Sequence, residues 1–378
     1  MTTVPLSVVM TVFNGASQIG ETLDSILAQT FTDFELLIND DGSQDSTWDV
    51  LSRYAARDER IRLIRNELNC GITRSMNKLF AMAHGDLITR HDADDISLPD
   101  RFARQVMYME QHAEIGLVSS QVLMIDATGA PLDLKYFTDA TEDQTLQAQL
   151  LVNNCFCQGS VMFRKRCLEV VGNYDESLDS AEDYDLWLRL AEVTRLARLP
   201  EYLYKYRVHA ASISSVKRGL QLQNMAASLE KLLSRRASER ANAAIQARVA
   251  GWYVEAANWF IASGDLLTAQ LNLTKALRVY PALLDSDEPK LSLPPTAEGL
   301  TLIESAFREA GLPARWVVLK HRLIAALYMR EVFVGLGSGN AARIDAALWP
   351  GLRHNPLWVF NRGVLSLSIR RLRSRLLL

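Results

Sequence analysis

In the stretch RHDADDISLPDR, residues 90–101, the carboxylates Asp92, Asp94 and Asp95 follow directly on the apolar run GDLITR. Two ionised carboxylates about 4 Å apart repel by roughly 4 kcal/mol at an effective dielectric near 20, so the cluster needs a compensating partner. Helix capping by Asp95 or Ser97, ahead of a helix starting near Pro99-Asp100-Arg101, would account for one acid. Ion pairs with Arg90 and Arg101 are a second explanation, and as exposed pairs they would contribute little. A divalent cation is the third. Mg²⁺ or Mn²⁺ takes one or two carboxylates together with substrate phosphate oxygens, and it would turn the repulsion into attraction.

The elements that must position these acids can be read from the hydrophobic periodicity. Residues 6–12, 34–39, 61–65, 86–91 and 115–125 read as buried strands, and helical patterns separate the first four of them. Strands alternating with helices predict a mainly parallel, mixed sheet in an α/β domain. Ligands of such sheets bind beyond the carboxyl ends of the strands. The first strand ends in TVFNG with Thr11, Phe13 and Asn14, and the second ends in NDDGSQDST with Asp40 and Asp41. The third leads to NELNCGITR with Asn69 and Arg74, and the fourth to the acidic cluster. All four ends are expected to face one crevice.

Charge divides the chain. Residues 1–215 carry 32 acids against 19 Lys and Arg, a balance of −13, whereas residues 216–378 carry 12 against 22, a balance of +10. This sets the expected domains at 1–215 and 216–378, the second all-helical. GWYVEAANWFIASGDLLTAQLNLTKALRVYP, residues 251–281, reads as two antiparallel helices joined at Gly264-Asp265, with a weaker echo around Gly339. A tetratricopeptide-like repeat and an ordinary helical bundle both fit that pattern. The tail NRGVLSLSIRRLRSRLLL holds five arginines and no acid. It reads either as an amphipathic membrane-surface helix or as a last bundle helix with a solvated arginine face. No nucleic-acid-reading motif accompanies the charge. The four cysteines lack both a disulfide framework and zinc spacing. Neither a signal peptide nor a membrane span is expected, which points to a cytoplasmic protein, peripheral on the inner face of a membrane if the tail is an anchor.

Residues 5–215 resemble a family-2 inverting glycosyltransferase with the A-type fold. SVVMTVFNG, AQTFTDFELLINDDGSQDST, NCGITRSMN, HDADD with LPDR, QGSVMFRK, AEDYDLWLRL and YRVHAASIS occur in the family's order. The likeness does not extend over residues 220–378. It implies a nucleotide-diphosphate sugar donor, a uridine or thymidine diphosphate sugar above all, and a glycan or lipid-linked glycan acceptor.

By the resemblance, Thr11, Phe13 and Asn14 line the base pocket, and Asp41 with Asp40 beside it accepts an imide N–H. Asn69 and Arg74 sit against base or phosphate, although Arg74 fits a solvated helix residue equally well. Asp92 holds the ribose and Asp94 a Mg²⁺ or Mn²⁺ ion, with Asp95 behind them. His209 ligates the metal, touches phosphate, or is structural. Gly159 and Ser160 border the acceptor. Glu182-Asp183 matches the family's acid pair, with Asp183 as the base that takes the acceptor proton. The alternative for Asp183 is a capping box with Ser180. Two rivals remain: a non-catalytic scaffold binding partners through its helical half, and a dehydrogenase. The second is disfavoured because TVFNGASQIG lacks G-x-G-x-x-G.

Overall fold

The computed structural model describes residues 5–135, 140–208, 216–236, 243–284, 296–312 and 317–357, with positions 291, 293, 364 and 368. The chain forms two compact units, Met1–Lys217 and Arg218–Leu378.

The first unit is built on β1 (Leu6–Val12), β2 (Phe34–Asp40), β3 (Ile61–Arg65) and β4 (Leu87–Arg90), interleaved with α1 (Ile19–Leu27), α2 (Thr47–Ala55) and α3 (Ile72–Met82). These four strands run parallel in the order β3-β2-β1-β4. Every residue of β2 is buried and so is nearly all of β1, because helices cover both faces of a parallel sheet. Leu6, Val8, Met10, Leu36 and Ile38 pack there with Leu23, Ile26 and Leu51 of the helices.

Beyond β4 the sheet becomes mixed. β5 (Ile96–Ser97), α4 (Arg101–Gln111), β6 (Ile115–Ile125), β7 (Pro131–Lys135), α5 (Asp143–Leu150), β8 (Met162–Arg164), α6 (Lys165–Val171), α7 (Glu182–Leu190) and β9 (Arg195–Arg207) complete the unit. β8 lies antiparallel between β4 and β6, while β9 runs parallel to β6 and antiparallel to β5. A 3₁₀ turn at Gln158–Ser160 feeds β8. This is a mainly parallel, mixed sheet in an α/β unit, and its parallel block ends together at Val12, Asp40 and Arg90.

The second unit is helical: α8 (Arg218–Arg235), α9 (Ala243–Ala262), α10 (Leu266–Val279), α11 (Ala297–Ala310), α12 (Val317–Gly337) and α13 (Ala341–His354). Two of its turns are built alike. Gly264 and Gly339 sit at φ 82° and 68°, in the left-handed region that glycine adopts without a Cβ clash. Each N–H bonds back into the preceding helix, to Ile261 and Leu336, and the next residue's N–H reaches Phe260 and Gly335. That next residue, Asp265 or Asn340, then caps the following helix by accepting from Thr268 or Arg343 N–H at 3.0 and 3.1 Å. A Schellman stop followed at once by an N-cap makes a tight antiparallel hairpin. No helix among the described residues is long and apolar enough to cross a membrane. The arginines of the tail and His209 lie outside the described residues.

Candidate active site

A cavity of about 610 Å³ opens at the carboxyl ends of β1, β2 and β4. It is lined by Thr11, Phe13, Asn14, Asp41, Asn69, Arg74, Asp92 and Asp94. The β1 end supplies an aromatic face, since Phe13 is 46% exposed. Its neighbour Asn14 turns the chain at φ 50°. It is held there by its N–H to Ser43 Oγ and by its Oδ1, which accepts the Gln44 N–H, both at 2.9 Å.

Asp41 is set into a ring of donors. Its Oδ1 accepts from Asn66 Nδ2 at 2.7 Å and from Cys70 N–H at 3.0 Å, and its Oδ2 accepts from Gly71 N–H at 2.9 Å. Burial alone would raise this carboxyl, but the hydrogen bonds outweigh it and hold the group below the usual range. Asp41 is therefore an ionised acceptor with one lone pair of Oδ2 left over. Asn69 accepts Gly71 N–H at 3.1 Å. Arg74 pairs with Glu176 at 2.9 Å and Lys217 with Asp179 at 2.7 Å. All four of these residues border the cavity, and such exposed pairs exchange readily.

The members of the acidic cluster have separate partners. Asp92 Oδ1 lies 2.8 Å from Arg90 Nη1. Asp95 Oδ1 accepts the Arg207 N–H at 2.7 Å, and burial raises its carboxyl well above normal. Asp94 borders the cavity. The loop that presents Asp94 is fixed from beneath. Arg207 donates Nε to the Asp94 carbonyl at 2.8 Å and Nη2 to Glu21 at 2.7 Å. His91 Nδ1 lies 2.7 Å from the Asp92 carbonyl, and its Nε2 lies 3.0 Å from Ser97 Oγ. Burial pushes the His91 ring down to about 3; it is neutral, and the carbonyl requires the proton on Nδ1.

The acid pair sits at the start of α7. Asp183 Oδ2 accepts from Asn154 Nδ2 at 2.9 Å and its Oδ1 from Tyr184 N–H at 2.7 Å. Glu182 is 3% exposed. Its Oε1 receives one long bond from Gln158 Nε2 at 3.3 Å, and its Oε2 has no partner among the described residues. Burial raises both carboxyls, Glu182 to about 7.

Several expectations are corrected. Arg90 and Arg101 are fully buried, not exposed. Only Arg90 pairs with the cluster, since Arg101 is occupied by Ser97, Thr89 and the Arg90 carbonyl. Asp40 is buried below the cavity. Its Oδ1 accepts Ser43 N–H at 2.9 Å and its Oδ2 lies 3.2 Å from Arg65, so it builds the turn and does not reach a base. Ser160 is fully buried and donates to the Cys157 carbonyl at 2.9 Å, which removes its hydroxyl from any acceptor.

Gly159 is a point of close approach, as expected of a strand glycine, but to the acidic loop. A Cβ there would lie 2.0 Å from Tyr204 Oη and 2.7 Å from Asp92 Oδ2. The capping box does not form: Ala181 is the N-cap, and Ser180 stands at φ 69° with its buried Oγ unpartnered. A non-glycine residue in that region costs about 1–3 kcal/mol, and such strain gathers at functional sites. Neither Glu182 nor Asp183 borders the cavity itself. Arg90 was missed because a cation one residue from an acid cluster reads as a surface partner.

The glycosyl transferase family 2 profile matches residues 7–171. EpsE of Bacillus subtilis (strain 168) is 33% identical over 206 residues, spanning 53% of this chain and 72% of that one. The Escherichia coli protein named as the O-antigen biosynthesis glycosyltransferase WbnJ is 31% identical over 214 residues, spanning 55% and 81%. The chain belongs to glycosyl transferase family 2. Among solved structures, Staphylococcus aureus TarS 1–349 in complex with UDP-GlcNAc superposes with a TM-score of 0.56 at 16% identity, over 88% of this chain and 92% of that one. The mannosyltransferase PcManGT from Pyrobaculum calidifontis, in complex with GDP-Man and Mn²⁺, gives 0.50 at 18% identity, over 85% of each chain. At such identities the likeness establishes the fold. The chain is thus a glycosyltransferase whose catalytic unit carries the fold of nucleotide-sugar enzymes.

Proposed function

We propose that this family-2 glycosyltransferase moves a sugar, with inversion, from a uridine or thymidine diphosphate donor to a hydroxyl of a glycan or lipid-linked glycan. The observation that carries the donor class is the cavity wall, where an exposed aromatic face and an ionised acceptor-only carboxylate stand together. Phe13 stacks on a flat base, and the remaining lone pair of Asp41 accepts an imide N–H. The donor ring around Asp41 keeps it charged, so a base with only acceptors on that edge is rejected. The UDP-GlcNAc carried by TarS fits this class.

Among the described residues, no group of three His, Cys, Asp or Glu side chains could hold a metal. Asp94 borders the cavity beside Asp92. One carboxylate completed by phosphate oxygens is a donor set that suits Mg²⁺ or Mn²⁺, so the residues fit an ion that arrives with the diphosphate, as Mn²⁺ accompanies GDP-Man in PcManGT. His209 would be a further ligand. When bound, the ion would neutralise charge on the departing diphosphate.

The chain's own residues do the rest. Arg207 and His91 hold the Asp94 loop in place. Arg74 and Lys217 exchange their carboxylate partners for phosphate oxygens. Asp183, the partly exposed second residue of α7, takes the acceptor hydroxyl's proton as the new bond forms, and displacement by that single oxygen inverts the anomeric centre. A screen of nucleotide sugars by nucleotide release, with purified protein and Mn²⁺, tests the reading. Turnover of a UDP or dTDP sugar is expected, and release from purine donors alone would refute the base assignment.

A further inference from the structure

Arg90 is a fully buried cation beside the site, 1% exposed, and the ends of two functional motifs converge on it. On one side its Nη1 lies 2.8 Å from Asp92 Oδ1. On the other it acts electrostatically on Glu182, Asp183 and Tyr174. The turn Gln158–Ser160 runs between the two sides: Gly159 touches Asp92 and Tyr204, while Gln158 Nε2 donates to Glu182 Oε1 and to Tyr174 Oη, both at 3.3 Å. Three buried polar atoms here lack hydrogen-bond partners among the described residues: Arg90 Nε, Arg90 Nη1, whose contact with Asp92 is an ion pair, and Glu182 Oε2.

We propose that Arg90 is a positioning residue that lets the buried Glu182–Asp183 pair carry one charge and couples that charge to Asp92, the hydrogen bonds on Asp183 making it the ionised member. This rests on the reading of Asp183 as the base. Two adjacent carboxylates in a buried site do not both ionise at neutral pH. The hydrogen bonds decide which one keeps the proton. Asp183 has a donor on each oxygen, the arrangement that favours a charged carboxylate, whereas Glu182 has one long bond and an orphaned oxygen.

The charged groups facing the pair act in opposite directions, and Arg90 is the one that offsets Asp92. Asp92 from the β4 end repels a charge on Asp183, Arg90 attracts both members, and Tyr174 and Gln158 bring no charge. Asp185, one turn further along α7, is neutralised by Arg189 at 2.8 Å. Burial and its neighbour Asp183 place Glu182 at about 7, above the ordinary carboxylate value. Loss of Arg90 would therefore raise Asp183 out of its working range, and with it the acid limb of the rate profile.

The test is the pH profile of kcat at saturating donor and acceptor, together with thermal melts. Arg90→Met should move the acid limb up by about one pH unit or more, and Arg90→Lys should bring most of it back. A limb that stays in place in both variants overturns the proposal. Folding failure of Arg90→Met leaves the lysine variant and Glu182→Gln to decide. Glu182→Gln imitates the protonated member, so its acid limb should stay where the wild type has it. The raised Glu182 stabilises the fold at acid pH and loses that contribution as pH rises through about 7. The variant's melting temperature should therefore gain on the wild type between about pH 4.5 and pH 7 and hold that gain at higher pH. An acid limb displaced by Glu182→Gln, or a flat melting difference, would mean that Glu182 carries the charge. Asp183→Asn separates the two readings: full turnover there refutes the base, whereas a dead Asp183→Asn with an unmoved Arg90→Met profile refutes only the role of Arg90.

Discussion

The two units of this chain bury different things. Beneath its cavity the catalytic unit buries Asp40, Asp41, Arg90, His91, Asp95, Arg101, Glu182 and Arg207. The buried polar residues described in the helical unit are neutral: Asn224, Ser228, Asn272, Thr274 and Ser368. A buried charge costs several kcal/mol unless it is paired and hydrogen-bonded. The first unit meets that cost by lacing its acids to buried arginines and backbone donors, which fixes the cavity's side chains at defined positions. The second unit avoids the cost, with Leu273, Leu277, Ala269 and Ala276 packed between helices. Interior charge is thus concentrated beneath the cavity, although Glu35, Asp185 and Arg198 are buried elsewhere in the same unit, and the described part of the second unit is held mainly by packing.

The largest effect that would break this comparison is expected at Asp183. Asp183→Asn should lower transfer by about 10³-fold, within the usual range for a lost general base, while UDP still binds. The helical unit should respond in the opposite sense. Leu277→Ala empties a fully buried site, so a loss of about 2–5 kcal/mol in unfolding free energy is expected, with the donor dissociation constant unchanged in the folded fraction. A smaller effect sharpens the picture of the hairpin turns. Asn340→Ala removes the cap on α13 and should cost about 1 kcal/mol, visible as a lower denaturation midpoint and neutral in transfer assays.

Much of the parallel block was legible because its signal is local. Each strand is a short apolar run ended by Gly, Asn or Asp, and the expected 6–12, 34–39 and 61–65 agree with β1, β2 and β3 to within a residue. The strand-end rule then located Thr11, Phe13, Asp41 and Asp94 at one cavity. The mixed wing was less legible. β8 has only Met162–Arg164, and β9 runs through Pro200 from Arg195 to Arg207; pairing across the sheet decides such strands, and local pattern does not. The burial of Arg90 and Arg101 was invisible for the same reason. A lone arginine reads as surface, and only the sheet around them shows that Ser97, Thr89 and a carbonyl hold Arg101 while Asp92 pairs with Arg90. Asp40 and Ser160 illustrate the converse, since polar residues inside motifs were given to the ligand while the backbone had already taken them.

Calorimetric titration of UDP into the full chain, with Mn²⁺ and with EDTA, measures the central claim most directly. Binding is expected in Mn²⁺, with Mn²⁺ alone giving no comparable heat, and a loss of at least about tenfold on chelation or in Asp94→Asn, a difference of about 1.4 kcal/mol. Equal UDP affinity in Mn²⁺, in EDTA and in the Asp94 variant would contradict the account of this cavity.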